Sequence, residues 1–315
     1  TARHAYLFFP FNPVLERNDL MMTKWEPMAT PMHKAIEPVG ESRNDYDVFS
    51  GLAQRLGFFE EFTEGRNEEE WLRHLWDQAR QRAGQANFEL PDFDTFWHEG
   101  PKEILKAEDK TVLLEAYRKD PQNNPLATPS GKIEIFSDVI AGFGYDDCPG
   151  HPVWMEPFEW LGGKTVKKFP LHIISNQPST RLHSQLDSGS ISKGSKIKDR
   201  EPMTMNPVDA AGRGIKTGDV VRVFNERGSC LAGVNLSENV MPGVIQLATG
   251  AWFDPIVPGQ IGALCKHGNP NVLTMDRGTS SLAQGPTAHS TLVQVEKFND
   301  DIPKVTAHLP PAISS

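Results

Sequence analysis

The hydrophobic and polar positions in the first half of the chain follow a helical period in two segments. In "ESRNDYDVFSGLAQRLG", apolar residues recur at three- and four-residue spacing, Asn44 or Asp45 can cap the first turn, and Gly57 can end the last. In "NEEEWLRHLWDQARQRAG", the same period follows Asn67 and Glu70, which have the spacing of a capping box. The pattern therefore predicts two amphipathic helices.

The rest of the first half is less regular and predicts three short elements. Residues 5–9 are apolar and predict a short buried strand, "PDFDTFWHEGPKEIL" predicts a short helix, and "KIEIFS" (132–137) predicts another strand. Gly, Pro and Asn are frequent in "DPQNNPLATPSGK", which predicts a long turn. They are also frequent in "GYDDCPGHPVWMEPFEWLGGK", which predicts a linker that crosses the surface.

From about residue 165 the pattern changes to short strands at close spacing. Apolar runs alternate with Gly, Asn and Pro turns in "FPLHIIS", "VVRVFNERG", "CLAGVNLS", "GVIQLATGAW" and "TLVQVEKF". This rhythm predicts a small β-barrel or sandwich, interrupted by one short helix at "PVDAAGRG". We therefore predict a fold of class α/β plus β, with a partial α/β region and linker at 1–164 and a β domain at 165–315.

Composition narrows the classes of protein that fit this pattern. With 315 residues, 38% of them hydrophobic, the chain can bury a sizeable core. A formal net charge of −9 argues against a nucleic acid as partner, and no apolar run has the length of a membrane span. The three cysteines are widely spaced and predict neither a disulfide framework nor a redox pair.

The densest polar segment is "SNQPSTRLHSQLD" (175–187), which directly follows a predicted strand. An extended loop rich in amides, with one guanidinium group, can bind a ligand with many hydrogen-bonding groups and negative charge, such as a dinucleotide. The alternative interpretation is an ordinary polar surface loop, and the loop alone does not decide between them.

Other candidate motifs lack the order that their chemistry needs. "SGSISKGSK" places serine before lysine after its second glycine, whereas a phosphate-binding loop needs lysine first. Two Cys/His pairs, Cys148 with His151 and Cys265 with His267, could form a zinc site but lack knuckle spacing, so reduced structural cysteines are the better interpretation. Neither a nucleophile elbow nor a G-x-G-x-x-G fingerprint occurs, which argues against hydrolase and nicotinamide chemistry.

Several segments taken together resemble one family. The segments are "LERNDL", "AIEPVGESRNDYDVFSGLAQRLG", "NPLATPSGKIEIFS", "SNQPSTRLHSQ", "NPVDAAGRGIKTGDVVRVFNERG", "GAWFDP" and "HGNPNVLTMDRGTSSLAQG". In this order they resemble the C-terminal part of the molybdenum enzymes of the dimethyl sulfoxide reductase family, with the trimethylamine N-oxide and biotin sulfoxide reductase branch the most similar. The resemblance covers essentially the whole chain.

The resemblance implies a fold, a cofactor and an activity. The last domain of the family is a double-psi β-barrel, in agreement with the strands predicted after residue 165. Its enzymes hold molybdenum between two molybdopterin guanine dinucleotides (bis-MGD) and reduce S-oxides or N-oxides by oxygen-atom transfer. The cofactor carries this chemistry, while the protein supplies binding and orientation.

The resemblance also implies residues that contact the cofactor. Arg17 and Asp47 match positions that contact one dinucleotide, where a carboxylate can accept N–H bonds from a guanine edge. The matching positions in the second half are Ser175, Asn176, Gln177, Pro178, Arg181, His183, Ser184, Gln185, Asn271, Ala288 and His289. The pair Ala288 and His289 stands where dimethyl sulfoxide reductases proper have Gly-Gln.

The chain departs from the family at its start and in what it lacks. "AYLFFPFN" replaces a segment that usually resembles A-D-I-V-L-P-A-T, with Tyr6, Phe11 and Asn12 at changed positions. The molybdenum ligand, usually serine in this branch, belongs to the N-terminal half of the family, so no catalytic or metal-binding residue is assigned here. We expect the chain alone to be inactive, and we expect its first strand to have an exposed edge or to pair with another chain.

The resemblance further implies partners. They are the N-terminal catalytic half, in cis or in trans, a small S-oxide or N-oxide substrate and an electron-donor protein. The compartment stays open between the bacterial periplasm, which the family favours, and the cytoplasm. Two alternatives remain: a non-catalytic module that binds a nucleotide or a partner, and a truncated or processed chain without a role of its own.

Overall fold

The computed structural model describes residues 5, 7–23, 26–85, 87–104 and 112–310. The chain divides after Asn124 into two compact units, which are described separately. Residues 125–164, which the sequence assigned to the first domain, fall in the second unit. Within the described ranges, no helix is long and apolar enough to cross a membrane.

The first unit contains five helices and a small antiparallel sheet in the described part of the chain. The helices are α1 (Asp45–Leu56), α2 (Phe59–Thr63), α3 (Glu68–Gln85), α4 (Phe93–Glu99) and α5 (Glu115–Lys119). The sheet has the order β1 (Asp19–Thr23), β2 (Glu26–Met32) and β3 (Lys102–Glu103). The predicted helices α1, α3 and α4 are confirmed, whereas α2, α5 and all three strands were not predicted.

The capping residues read from the sequence define both long helices. The Asn44 side chain accepts a hydrogen bond from the Tyr46 N–H at the start of α1, and Gly57 ends this helix in the left-handed region with φ 83°. Before α3, the Asn67 N–H donates to Glu70 at 2.8 Å and the Glu70 N–H donates to Asn67 at 2.9 Å. This reciprocal pair is a capping box, and it satisfies two backbone donors.

The core of the first unit lies where α3 and α4 meet the sheet. The rings of Trp76 and Phe96 stack with centroids 3.7 Å apart, and both side chains are fully buried. Ala29, Leu72 and Phe93 complete this cluster. The apolar stripe predicted for α3 therefore faces the core through Leu72 and Trp76.

Two predicted strands are wrong. Leu7, Phe8 and Phe9 form no strand, and they are 77%, 59% and 55% exposed. The buried strand predicted for residues 5–9, and with it the exposed strand edge, is therefore not formed. Tyr6 lies outside the described residues. Residues 132–137 also form no strand and lead into the short helix α6 (Asp138–Gly142). Both segments have apolar residues of the right type, but a strand needs a neighbouring strand, and none in the described part of the chain pairs with them.

The second unit is built around a closed double-psi β-barrel of six strands. Its elements after α6 are β4 (Leu171–Ile174), α7 (Ser190–Ser195), β5 (Pro202–Met205), α8 (Pro207–Ala211), β6 (Val220–Phe224), β7 (Ser229–Leu236), β8 (Val244–Leu247) and β9 (Leu292–Lys297). The strand order is β4-β8-β5-β7-β6-β9, which closes on β4. The predicted strands and the short helix α8 are confirmed, and β5 was missed.

The strand directions place the loops that follow β4, β6 and β8 at one end of the barrel. β4 runs parallel to β8 and antiparallel to β9, and β6 also runs antiparallel to β9. The last residues of β4, β6 and β8 therefore lie beside the first residues of β5, β7 and β9. We call this the loop end of the barrel. The interior is filled by buried apolar side chains that include Ile173, Met203, Val223, Val234, Ile245 and Val293.

Candidate functional site

The polar loop 175–187 leaves β4 at the loop end and is held against the segment that follows β8. The Thr249 N–H donates to the Asn176 carbonyl at 3.0 Å, and the Trp252 indole N–H donates to the Ser184 carbonyl at 2.9 Å. Because β4 and β8 are parallel neighbours, the loops that follow them must start side by side. The barrel topology thus determines the path of this loop.

Gly250 allows the two segments to approach closely. Its φ is 94°, and a Cβ at this position would lie 1.8 Å from the His183 carbonyl oxygen. His183 itself has a left-handed backbone with φ 49°. Only glycine combines this conformation with this distance, so Gly250 fixes where His183 and Ser184 lie.

The Arg181 side chain is fully buried and bonds to acceptors within the chain. Its guanidinium group donates to Glu201 at 3.0 Å, to the Thr249 carbonyl at 3.0 Å and to the His183 carbonyl at 3.1 Å. The side chain is 0% exposed. Its donors therefore hold the loop from inside, and the ligand contact that the resemblance implied for Arg181 stays a prediction.

Arg181 belongs to a charge cluster that also contains Asp187, Lys196 and Glu201. Lys196 Nζ lies 2.7 Å from Asp187 Oδ1 and also contacts Glu201. Each of the four side chains is at most 3% exposed. The two cations and two anions balance in charge, as buried ionic groups require.

Asp187 is the centre of this cluster. It accepts hydrogen bonds from the Trp252 N–H at 3.2 Å and from His308 Nε2 at 3.0 Å, in addition to the contact with Lys196. Burial would raise the pKa of Asp187, but the hydrogen bonds from Lys196 and His308 hold it well below its usual value. The carboxylate therefore stays ionised and ties loop 175–187 to the segment after β8.

A metal ion is disfavoured at the nearest group of potential ligands. Within the described part of the chain, Asp187, His267 and His308 are the side chains that come together at metal-binding distance, with ligand atoms within 4.8 Å. Burial lowers the pKa of His267 to about 4, so its ring is neutral. However, Asp187 already pairs with two buried cations, and a divalent ion would add uncompensated charge. The alternative zinc set of Cys148, His151, Cys265 and His267, all of them described residues, is not brought together.

Asn271 and the pair Ala288 and His289 lie at the same end of the barrel. Asn271 is exposed in a short 3-10 turn at 270–272, where the Asn269 side chain accepts its N–H at 2.8 Å. His289 is exposed just before β9, and its backbone is hydrogen-bonded to the ring of His172 on β4. Three loops that are far apart in sequence therefore converge at the loop end.

The remaining predicted residues of the loop present neutral polar groups. Gln177, Ser184 and Gln185 are exposed, and Ser175 and Pro178 are half-buried. The Asn176 side-chain N–H donates to the Gln177 carbonyl at 2.9 Å, whereas Asn176 Oδ1 is buried and accepts no hydrogen bond from the described residues. A buried acceptor without a donor raises the free energy of the folded state, so Asn176 Oδ1 is a candidate to accept a hydrogen bond from a ligand N–H group.

The first unit has its own polar cavity of about 330 Å³, lined in part by Arg17, Asp47 and Asn12. Arg17 pairs with Asp19 at 3.1 Å and with Asp45 at 3.3 Å, so its charge is largely compensated. Asp47 lies exposed in the first turn of α1. Asn12 Oδ1 is a second buried acceptor without a donor among the described residues. The sequence had marked Asn12 only as a departure from the family.

Comparisons with known proteins identify a domain family that matches the barrel region and several reductases with a similar sequence. The family described as molydopterin dinucleotide binding domain matches residues 171–292. The dimethyl sulfoxide/trimethylamine N-oxide reductase of Cereibacter sphaeroides is 46% identical over 301 residues, which cover 95% of this chain and 36% of that protein. The trimethylamine-N-oxide reductase of Haemophilus influenzae is 45% identical over 317 residues, covering 99% of this chain and 38% of that protein.

A solved structure supports the fold. Acetylene hydratase from Pelobacter acetylenicus superposes with a TM-score of 0.64 at 19% identity, covering 92% of this chain and 38% of that one. At this identity the likeness concerns the fold alone. The chain spans 36% to 38% of the length of the curated relatives described above, and it matches their C-terminal part.

Proposed function

Since the chain belongs to the dimethyl sulfoxide reductase family of molybdopterin oxidoreductases and matches the C-terminal part of its members, we propose that its loop end holds a molybdopterin guanine dinucleotide. The observation that carries the proposal is the convergence at one barrel end of loop 175–187, the turn with Asn271 and the residues before β9. The proposed activity of the whole protein is reduction of a small S-oxide or N-oxide.

The groups at the loop end fit such a ligand in chemical type. Guanine and pterin rings present N–H donors and carbonyl acceptors at their edges, and side-chain amides can pair with both. Asn176, Gln177, Gln185 and Asn271 supply amides, and the buried Asn176 Oδ1 requires a donor such as a ring N–H. The loop end thus offers neutral donors and acceptors of hydrogen bonds, which are the groups that can pair with ring edges.

The cavity of the first unit suits an N–H-rich ligand edge in the same way. Arg17 is paired with Asp19 and Asp45, whereas the carboxylate of Asp47 and the Oδ1 of Asn12 are two of the acceptors that line the cavity. We propose that Asp47 accepts N–H bonds from a guanine edge, while Arg17 holds the cavity wall through its ion pairs.

In this proposal the bound molybdenum cofactor supplies oxygen-atom transfer, and this chain supplies binding and orientation. Gly250 and Asp187 keep loop 175–187 in one conformation, so the amides meet the ligand already oriented, which reduces the entropy lost on binding. The N-terminal part found in the relatives would provide the metal ligand and the remaining contacts. The assembled enzyme would then take electrons from the electron-donor protein and reduce the substrate oxide. This chain alone would be inactive.

A titration of the chain with GDP, which is the nucleotide end of the proposed ligand, tests the binding site. We expect the side-chain amide resonances of Asn176, Gln177 and Asn271 to shift in NMR spectra, with a Kd of about 1 mM or tighter. Asn271→Ala should weaken binding about two- to twelvefold, because one hydrogen bond contributes about 0.5–1.5 kcal/mol.

Asn235→Ala is the matched control, since this exposed asparagine lies near the far end of β7 and should leave the GDP affinity unchanged. ADP should bind more weakly than GDP, because adenine lacks the N1–H and presents a different edge. Absence of GDP binding, or shifts confined to residues away from the loop end and from the first-unit cavity, would contradict the proposal.

A further inference from the structure

An ion pair joins the segment predicted to be a linker to the loop end of the barrel, with a largely buried carboxylate and an arginine side chain that is 27% exposed. Glu159 is 9% exposed, and its two carboxylate oxygens face Arg227, with Nη1–Oε1 at 2.6 Å and Nη2–Oε2 at 3.0 Å. Arg227 lies in the turn between β6 and β7. A bidentate pair of this kind fixes the orientation of both groups as well as their distance.

Each partner of the pair also binds the backbone of a loop that carries a proposed ligand contact. Arg227 Nε donates to the Leu273 carbonyl at 2.7 Å, two residues after Asn271. Glu159 Oε2 accepts the Leu292 N–H at 2.8 Å, three residues after His289. The pair is thus a direct link between two loops that are separate in sequence.

The turn around Arg227 reinforces this link. The Asn225 side-chain N–H donates both to the Leu273 carbonyl at 2.8 Å and to the Leu292 carbonyl at 3.1 Å. A Cβ at Gly228 would lie 2.6 Å from the Val272 carbonyl oxygen, so the turn packs directly on the 270–272 backbone. The position of Asn271 therefore depends on the turn at 225–228.

Glu159 keeps its negative charge in this setting. Burial would raise the pKa of Glu159, but the hydrogen bonds from Arg227 and from the Leu292 N–H lower it below its usual value. A carboxylate is needed, because only the ionised form offers acceptors on both oxygens for three N–H groups.

We infer that the Glu159–Arg227 pair is a positioning element that sets Asn271 and His289 relative to each other for the ligand. The inference rests on the proposed function, because it assigns a role in binding rather than in the fold. Glu159 and Arg227 act through the Leu273 carbonyl and the Leu292 N–H. A change at Arg227 acts on Asn271 through the Leu273 carbonyl, so it should weaken binding mainly while Asn271 contributes to it.

The test is a double-mutant cycle in the 315-residue chain, read out as the Kd for GDP. Arg227→Lys keeps the charge but loses the bidentate geometry, and we expect it to weaken GDP binding severalfold, by no more than Asn271→Ala does. Arg222→Lys is the matched control, because Arg222 forms an exposed pair with Glu296 on neighbouring strands, and it should leave the Kd unchanged. Combined with Asn271→Ala, Arg227→Lys should add little further loss.

The outcomes separate the inference from the proposed function. If the unchanged chain does not bind GDP, the proposed function is wrong. If the unchanged chain binds but Arg227→Lys binds equally well, or if the effects of Arg227→Lys and Asn271→Ala simply add, the positioning role is wrong. Should Arg227→Lys fail to fold, Glu159→Asp replaces it with the same expected loss, because the shorter carboxylate cannot reach both Arg227 and the Leu292 N–H.

Discussion

Replacing Asp187 with alanine is expected to lower the free energy of unfolding of the second unit by about 3–5 kcal/mol. The carboxylate is fully buried and pairs with Lys196 at 2.7 Å, while the Trp252 N–H and His308 also donate to it. Its removal leaves a surplus of buried positive charge and two donors without an acceptor. Urea denaturation followed by tryptophan fluorescence measures the change.

Asp300→Ala is the control for this substitution, because Asp300 is exposed and should change the unfolding free energy by less than about 0.5 kcal/mol. A loss of less than about 1 kcal/mol for Asp187→Ala would show that the charge cluster does not hold the loop as described. The Asp187→Ala variant should also lose affinity for GDP, because loop 175–187 is no longer fixed.

Replacing Gly250 with alanine is expected to destabilise the second unit by about 3 kcal/mol or more. The new methyl group would lie 1.8 Å from the His183 carbonyl oxygen, and the backbone at φ 94° is unfavourable for any residue with a Cβ. The neighbour is backbone rather than the end of a flexible side chain, so loop 175–187 must move. The measurements are the unfolding free energy and the amide spectrum of residues 182–185.

Gly212→Ala is the control, because Gly212 follows α8 with φ −63° and a Cβ at this position would have nothing within 4 Å. This change should be neutral or stabilise the protein by up to about 1 kcal/mol. If Gly250→Ala left the stability and the spectrum of 182–185 unchanged, the close approach of the two segments would be wrong.

The elements that local rules define could be predicted from the sequence. α1 begins after Asn44 and ends before Gly57, and α3 begins after Asn67, as the sequence indicated, because a cap uses hydrogen bonds within a few residues. The barrel strands with alternating apolar residues were also found. β5 was missed because it has four residues and begins with Pro202, and its identity as a strand depends on pairing with β7 and β8.

The roles of polar side chains at the site could be predicted only in part. The sequence marked Arg181 as a candidate because arginine suits anionic ligands, but its partner Glu201 is twenty positions away, and their pairing is visible only in the fold. The roles of Glu159 and Asp187 were not predicted, since their partners come from other segments of the chain. Local sequence shows which groups are polar, whereas tertiary structure decides which of them are already satisfied.

Two residues that depart from the family, Asn12 and His289, lie beside the proposed ligand sites. Asn12 replaces a small residue and places a buried acceptor beside the first-unit cavity, and His289 replaces an amide at the loop end with an exposed ring. Both changes keep a hydrogen-bonding group at the position. The assignment of Asn12, Asp47 and His289 as ligand contacts stays a prediction.

Reconstitution of the complete enzyme tests whether this chain supplies part of a bis-molybdopterin guanine dinucleotide site. The chain would be co-produced, in a bacterial host that makes the cofactor, with the N-terminal part of the Cereibacter sphaeroides relative. The C-terminal part of that relative, supplied in the same way, is the positive control. The purified complexes would be assayed for molybdenum, for GMP released from the cofactor and for reduction of an S-oxide or N-oxide.

We predict molybdenum and GMP in a ratio of about one to two in the complex, as two dinucleotides per metal require, together with oxide reduction. Neither is expected from this chain alone. If the control complex retains molybdenum and GMP while the complex with this chain retains neither, this chain does not supply part of the bis-MGD site. GMP retained without molybdenum would instead support the non-catalytic nucleotide-binding module.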